Sequence, residues 1–267
     1  MVQNRSRTKP SSRRVAKPKS GARSSGPLKV GPPLKSGEER DTMRVRVYRA
    51  LARGLMAGMF EPGEAVTLRT LASRLGTSAM PVREAVSRLI AERALVLLPN
   101  RSVIVPRMSR ARFAELTETR QMLEGSVAEV ACTKATPSLL RQLNEINDAM
   151  KRCVATNDFR DALAHNMAFH FTLYHAADKP VVLPLIEMLW LQAGPFLALS
   201  LTTPGIRWTA RHHQAILAAL RSGAGPSARR AIEADIADTS SQLIKKAIFE
   251  DAPVMSTSKN HLMVATL

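Results

Sequence analysis

The sequence predicts a mainly α-helical protein in two units, three short helices plus a β-hairpin followed by an all-α bundle of six helices. Three observations carry that prediction. Apolar residues recur at helical spacing from Thr42 to about residue 249. The breaks in this pattern fall at Gly and Pro, and paired short apolar runs flanking a turn occur between residues 95 and 105.

The first helix opens at Thr42, with Val47, Leu51 and Leu55 four residues apart, and ends near Gly58 before Glu61-Pro62-Gly63. The second carries Leu68, Leu71, Ala72 and Leu75 on one face, exposes Arg69 and stops at Gly76. Thr77 and Ser78 offer a cap for a third helix beginning at Pro81, whose missing N–H costs nothing in a first turn. Its inward face is Val82, Ala85, Val86 and Leu89, which leaves Arg83, Ser87 and Arg88 outward. Leu95–Leu98 and Val103–Val105, around Pro99-Asn100-Arg101-Ser102, complete the unit as a hairpin. Three short helices with such a wing make a winged helix-turn-helix. The six helices that follow are expected near 109–134, 137–155, 158–177, 180–201, 205–222 and 226–249. The chain divides accordingly into an arm (1–40), a winged unit (41–106), a helical unit (107–250) and a tail (251–267).

Composition narrows the setting. The 267 residues are 45% hydrophobic, enough for a core without staples. Two cysteines, Cys132 and Cys153, build neither a disulfide framework nor a cysteine-rich zinc site, so a reducing cytoplasm is expected. Neither a signal peptide nor a membrane span is expected. The net charge is +17, and residues 1–37 hold ten Lys and Arg with no acid, so +7 is left for the remainder. Rich in Ser, Pro and Gly and poor in large apolar residues, this stretch reads as a disordered basic arm. It is either a solubilising tail or a DNA-tracking arm.

The runs Pro62-Gly63-Glu64, Leu71-Ala72-Ser73-Arg74-Leu75-Gly76 and Ser78-Ala79-Met80-Pro81-Val82-Arg83-Glu84-Ala85-Val86 closely resemble the DNA-binding domain of GntR-family transcriptional regulators. Arg120-Gln121-Met122-Leu123-Glu124, Phe169-His170 and His213-Gln214-Ala215-Ile216 resemble the all-helical effector domain called FCD, and six helices suit its shorter branch. The resemblance implies a ligand-responsive homodimer reading a palindromic operator in double-stranded DNA. It places DNA contacts at Arg69, at the helix entry Thr77, Ser78, Ala79 and Pro81, at Arg83, and at the hairpin tip Arg101. A recognition helix fits the major groove, and an Arg fork suits guanine O6 and N7. Ala79-Met80 stand where many relatives have Arg-Thr, which implies a different operator.

Polar residues on apolar faces mark a second site. Asn166 and His170 share a stripe with Phe159, Leu163 and Leu173, His213 leads Ile216, Leu217 and Leu220, and Asp235 lies beside Ile232. Metal-binding FCD domains hold a divalent ion on Asp or Asn, a His four residues on and two further His; the resemblance transfers this set to Asn166, His170, His213 and Asp235, the last His being Asp here. Imidazole mixed with oxygen donors suits zinc, nickel or manganese. Hydrogen-bonded core histidines are the alternative. Arg120, on the inward stripe of Phe113, Leu116, Leu123 and Val127, needs an anion: Glu124 one turn on, or the carboxylate of an effector, as in relatives. No His-Glu-x-x-His, Glu-x-x-His repeat or phosphate-cradling glycine loop is present, so no enzyme is expected. A metal-dependent helical enzyme or scavenging protein with an accessory DNA-binding domain, and a nonspecific DNA-compacting protein, stand as alternatives.

Overall fold

The computed structural model describes residues 42–206, 208, 210–246 and 249; the expected arm over 1–40 and tail over 251–267 lie outside them. The order is α1 (Met43–Met56), β1 (Ala65–Thr67), α2 (Leu68–Arg74), α3 (Ala79–Ala91), β2 (Val96–Leu97), β3 (Ser102–Ile104), α4 (Arg110–Thr133), α5 (Pro137–Ala155), α6 (Phe159–Ala176), α7 (Val182–Thr202), α8 (Arg211–Ser222) and α9 (Gly225–Lys245). Helices dominate, and the described residues fall into the two expected units.

The winged unit forms because α1, α2 and α3 turn the apolar stripes named above onto one core, closed by Val66, Val103 and Val105. Each such side chain fully buried contributes about 1.5–3 kcal/mol. The expected hairpin is β2 against β3, but a third strand joins it: β1 pairs antiparallel with β3, Val66 facing Val103, in the order β1-β3-β2. Periodicity does not reveal a three-residue strand with one buried side chain, and pairing with β3 is what makes it a strand. Thr67 ends β1 and caps α2 at once, its hydroxyl accepting from the Thr70 N–H at 3.1 Å.

Helix α3 begins at Ala79, two residues before the expected start, with Ser78 as N-cap. Its side chain makes no capping hydrogen bond. The third helical position is Pro81, so the N–H that such a hydroxyl often accepts from is missing. Arg88 is exposed as expected, and it also bonds to Glu92 at 2.9 Å and lies over the Tyr48 ring at 3.7 Å, where it ties α3 to α1.

In the helical unit α4 lies along α9, α5 pairs with α6, and α8 packs on α9. Two expected bounds are corrected. Helix α8 starts at Arg211 rather than 205, because Gly205 takes a left-handed φ of 78° within a turn. Helix α9 ends at Lys245 rather than 249, and Phe249 folds back onto Phe113 and Phe196 with ring centroids 4.5 and 5.4 Å away. One helix bears on the expectation that no segment spans a membrane. Helix α7 has 21 residues and a mean hydropathy of 1.6 over its most apolar window, enough by length and composition. Helices α1, α4, α6 and α9 all pack on it, and 44% of that window is buried.

That helix also joins the two units. A Cβ on Gly194 of α7 would lie 2.4 Å from the Leu55 carbonyl oxygen at the end of α1, so only glycine permits this approach. Opposite it, Gly58 holds a left-handed φ of 65° against Ala198. Leu191 of α7 is part of the core of the winged unit.

Candidate functional site

Two sites emerge, one exposed on the winged unit and one buried in the bundle. On the first, Arg69 near the start of α2 and Arg83 near the start of α3 are exposed, as are Ser78, Ala79 and Met80 at the entry of α3; Thr77 is half-buried and Pro81 buried beneath them. Pro81 therefore shapes the helix start instead of offering a contact. The side chains of Arg69, Arg83 and Arg101 make no hydrogen bond or ion pair with another described residue, in contrast to Arg88. Arg101 stands at the wing tip with a left-handed φ of 63°, where glycine would be unstrained. Its turn is closed by Arg101 N–H to the Leu98 carbonyl at 2.9 Å and by Ser102 N–H to Asn100 Oδ1 at 3.0 Å. This conformation costs a non-glycine residue on the order of 1 kcal/mol, and Arg93, Asn157 and Asp178 share it.

The buried site draws its residues from helices far apart in the chain. His170 comes from α6, His213 from α8 and Asp235 from α9, and one ligand atom from each lies within 4.8 Å of the others. His170 Nε2 is 3.3 Å from Asp235 Oδ2. Both histidines are buried, and the Asp235 side chain is 15% exposed. The other ring nitrogens are occupied. His170 Nδ1 is 3.0 Å from the Tyr174 hydroxyl, which donates to Glu124 Oε2 at 2.6 Å. His213 Nδ1 is 3.1 Å from Asn147 Oδ1, and its ring stacks on Phe169 at 4.1 Å. His213 Nε2 is buried with no hydrogen-bond partner among the described residues. Such an orphan acceptor is costly in a protein interior unless something binds it.

The electrostatics agree. Burial holds the His213 imidazole down at about 3, so it is a neutral ligand at neutral pH. Burial pushes the Asp235 carboxyl up, but the neighbouring His170, His213 and His212 rings together outweigh this and hold it at about 2. A carboxylate and two imidazoles bring one oxygen and two nitrogens within 4.8 Å of one another, a donor chemistry that suits a divalent ion, and Asn166 lines the cavity beside them. The donor set thus fits such an ion. That cavity is about 30 Å³, walled also by Arg120, Trp190, Ser200 and Trp208. It has room for an ion and one or two waters.

Arg120 donates to Glu124 through Nε at 2.7 Å and Nη2 at 3.4 Å, and its guanidinium lies over the Trp190 ring at 4.7 Å. Of the two partners open to it, the protein carboxylate is the one in contact. Tyr174, Asn147 and Trp190 were not singled out by sequence reasoning. A signal existed for two of them: Asn147 shares a stripe with Leu143 and Met150 on α5, and Tyr174 follows His170 by one turn. His212, which lies off the inward stripes, bonds to Asp238 at 3.2 Å.

Comparison with known proteins bears on both sites. The family model described as bacterial regulatory proteins, gntR family, matches residues 43–105, and the FCD domain model matches residues 115–238. The chain is 28% identical over 184 residues to the HTH-type transcriptional regulator McbR of Escherichia coli (strain K12), spanning 68% of this chain and 83% of that protein. It is 27% identical over 153 residues to the gluconate operon transcriptional repressor of Bacillus subtilis (strain 168), 57% of this chain and 61% of the relative. The solved structure of E. coli McbR/YncC superposes with a TM-score of 0.71 at 25% identity, covering 77% of this chain and 98% of that one. These named relatives are regulators, not enzymes. With the two models matched in that order, the chain belongs to the GntR family of bacterial regulatory proteins, as a DNA-binding transcriptional regulator whose second domain is an FCD effector domain.

Proposed function

We propose that the protein acts in the cytoplasm as a homodimer on a palindromic operator, and that a small carboxylate bound in the helical unit beside a divalent ion changes its grip on DNA. Arg83, Arg69 and the helix entry read the major groove, and Arg101 reaches the minor groove or a phosphate. His170, His213 and Asp235, with Asn166 at the edge, hold zinc, nickel or manganese. When bound, the ion supplies positive charge and open coordination positions for a carboxylate. Arg120 lines the same cavity and offers the effector what remains of its five donors beyond Glu124. The observation that carries this reading is the unpartnered, buried His213 Nε2 facing Asp235 and His170.

The size of the cavity supports a switch. Anything larger than an ion with one or two waters must move a wall, and α7 supplies Trp190, Leu197, Ser200 and Leu201 to that wall. The same helix holds α1 through Gly194. A ligand that favours one placement of α7 shifts the DNA-binding unit with it, and about 1.4 kcal/mol of differential affinity gives a tenfold effect.

The test pairs elemental analysis of the purified protein with operator titrations, with and without zinc and a series of carboxylates from acetate to gluconate, the last taken from one relative's name. His170→Ala combined with His213→Ala is expected to abolish metal uptake and effector response while unliganded operator binding stays near wild type. A wild type that takes up no metal would reduce the site to a polar cluster. A double variant that still responds would leave recognition to Arg120 alone.

A further inference from the structure

Both histidines of the proposed ion site face a problem of proton placement. A neutral imidazole carries one proton, and the nitrogen that holds it cannot bind a metal. We propose that Tyr174 and Asn147 are positioning residues that keep this proton on Nδ1 of His170 and His213, so that both Nε2 lone pairs point into the site, and that Arg120 acts in the same device through Glu124. The inference rests on the ion reading above.

The direction of each hydrogen bond follows from counting protons. Glu124 is fully buried and bound by Arg120 at 2.7 Å, so its carboxylate only accepts. The single proton of the Tyr174 hydroxyl is therefore used on Glu124 at 2.6 Å. That leaves the Tyr174 oxygen as an acceptor, and the donor 3.0 Å away is His170 Nδ1. Without the hydroxyl, the acceptor left to a neutral His170 is Asp235, 3.3 Å from Nε2. The proton would settle there, on the nitrogen the ion needs.

On the second histidine, Asn147 Oδ1 accepts from Nδ1 at 3.1 Å, and Nε2 is left bare. Phe169, stacked within 7° of the His213 plane, fixes the direction of that lone pair. Tyr174, Asn147 and Glu124 are each at most 2% exposed, so no water competes for these bonds from outside. Partners of this kind around ligand histidines typically carry 10–100-fold in metal affinity.

The experiment uses the full chain. Zinc affinity is measured by competition with a chromogenic chelator, and nitrogen chemical shifts of the histidine rings are recorded for metal-free protein at mildly alkaline pH. Tyr174→Phe is expected to move the His170 proton from Nδ1 to Nε2, leave His213 unchanged and weaken zinc by about 10–100-fold. Asn147→Leu should do the same at His213 alone, while Asn147→Asp, which still accepts from Nδ1, should restore both readouts. A network that merely supports the fold would lower melting temperature without moving a ring proton. Wild-type zinc uptake that Tyr174→Phe and Asn147→Leu share, with the protons still on Nδ1, overturns the inference and leaves the ion site standing. A wild type without uptake overturns the ion reading, and the inference with it.

Discussion

Arg83 and Arg88 lie five residues apart on one helix and have opposite fates. Arg88 is spent on Glu92 and the Tyr48 ring, whereas Arg83 has no partner among the described residues and stands at the helix entry. Arg83→Ala is therefore expected to cost about 1–3 kcal/mol of specific operator binding and to relax base preference, as read in a mobility-shift titration with matched and mismatched sites. Arg88→Ala should instead lower stability. The buried site makes a pH prediction. His213 is held at about 3 against an ordinary value of ~6.5, so below that ordinary value the unfolded chain binds a proton that the folded chain does not. Stability is then complete above about pH 6.5 and is lost as pH falls toward 3. Asp235, held at about 2 against 3.8, adds a loss at lower pH, as pH falls through that interval. Denaturant titrations of metal-free protein should lose up to about 2 kcal/mol between pH 6.5 and 5, and His213→Gln should flatten that slope. A flat wild-type profile over this range would show that His213 titrates normally.

At the scale of elements, α7 carries two loads. Its inner turns wall the ion cavity, and Gly194 lets its backbone touch the end of α1. Gly194→Ala places a methyl 2.4 Å from the Leu55 carbonyl, which neither helix backbone absorbs without moving. The expected result is a loss of about 1–3 kcal/mol in thermal or denaturant unfolding, from overpacking. Zinc affinity should be retained while any effector-linked change in operator affinity shrinks. Retained linkage would mean that the two units communicate by another route. The adjoining Pro195 leaves the Leu191 carbonyl without its helical donor, a local weakness in the same turn.

For the whole molecule, charge is distributed so that operator reading and DNA attraction are separable. Ten of the basic residues lie in the first 37 positions, and an arm that tracks DNA through them would favour any duplex alike. Deleting residues 1–37 should weaken operator and random DNA by similar factors and reduce the salt slope by about 0.9 for each phosphate the arm neutralises. An unchanged slope would identify the stretch as a solubilising tail. Together with Arg83→Ala this separates the electrostatic contribution from the base-reading one.

The amino-acid pattern alone determined the two units, the order of nine described helices and the inward turn of His170 and His213, because each depends on periodicity within about twenty residues. The Pro81-Val82-Arg83-Glu84-Ala85 run placed the third helix for the same local reason, and its role in reading DNA is what the resemblance implies. Tertiary structure decided the rest. Strand β1 exists only against β3, and the packing of four helices on α7 buries 44% of its apolar window. The Arg120 anion was undecided between Glu124 and a ligand until packing put Glu124 in contact with Tyr174 as well. Asp235 joined the histidines although Ile236 competes for the inward direction, since the pairing of α9 with α4 and α8 sets the rotation of that helix. A chain read residue by residue holds no information on distances between helices that are sixty residues apart, and the meetings of Asn147 with His213 and of His170 with Asp235 are set by those distances.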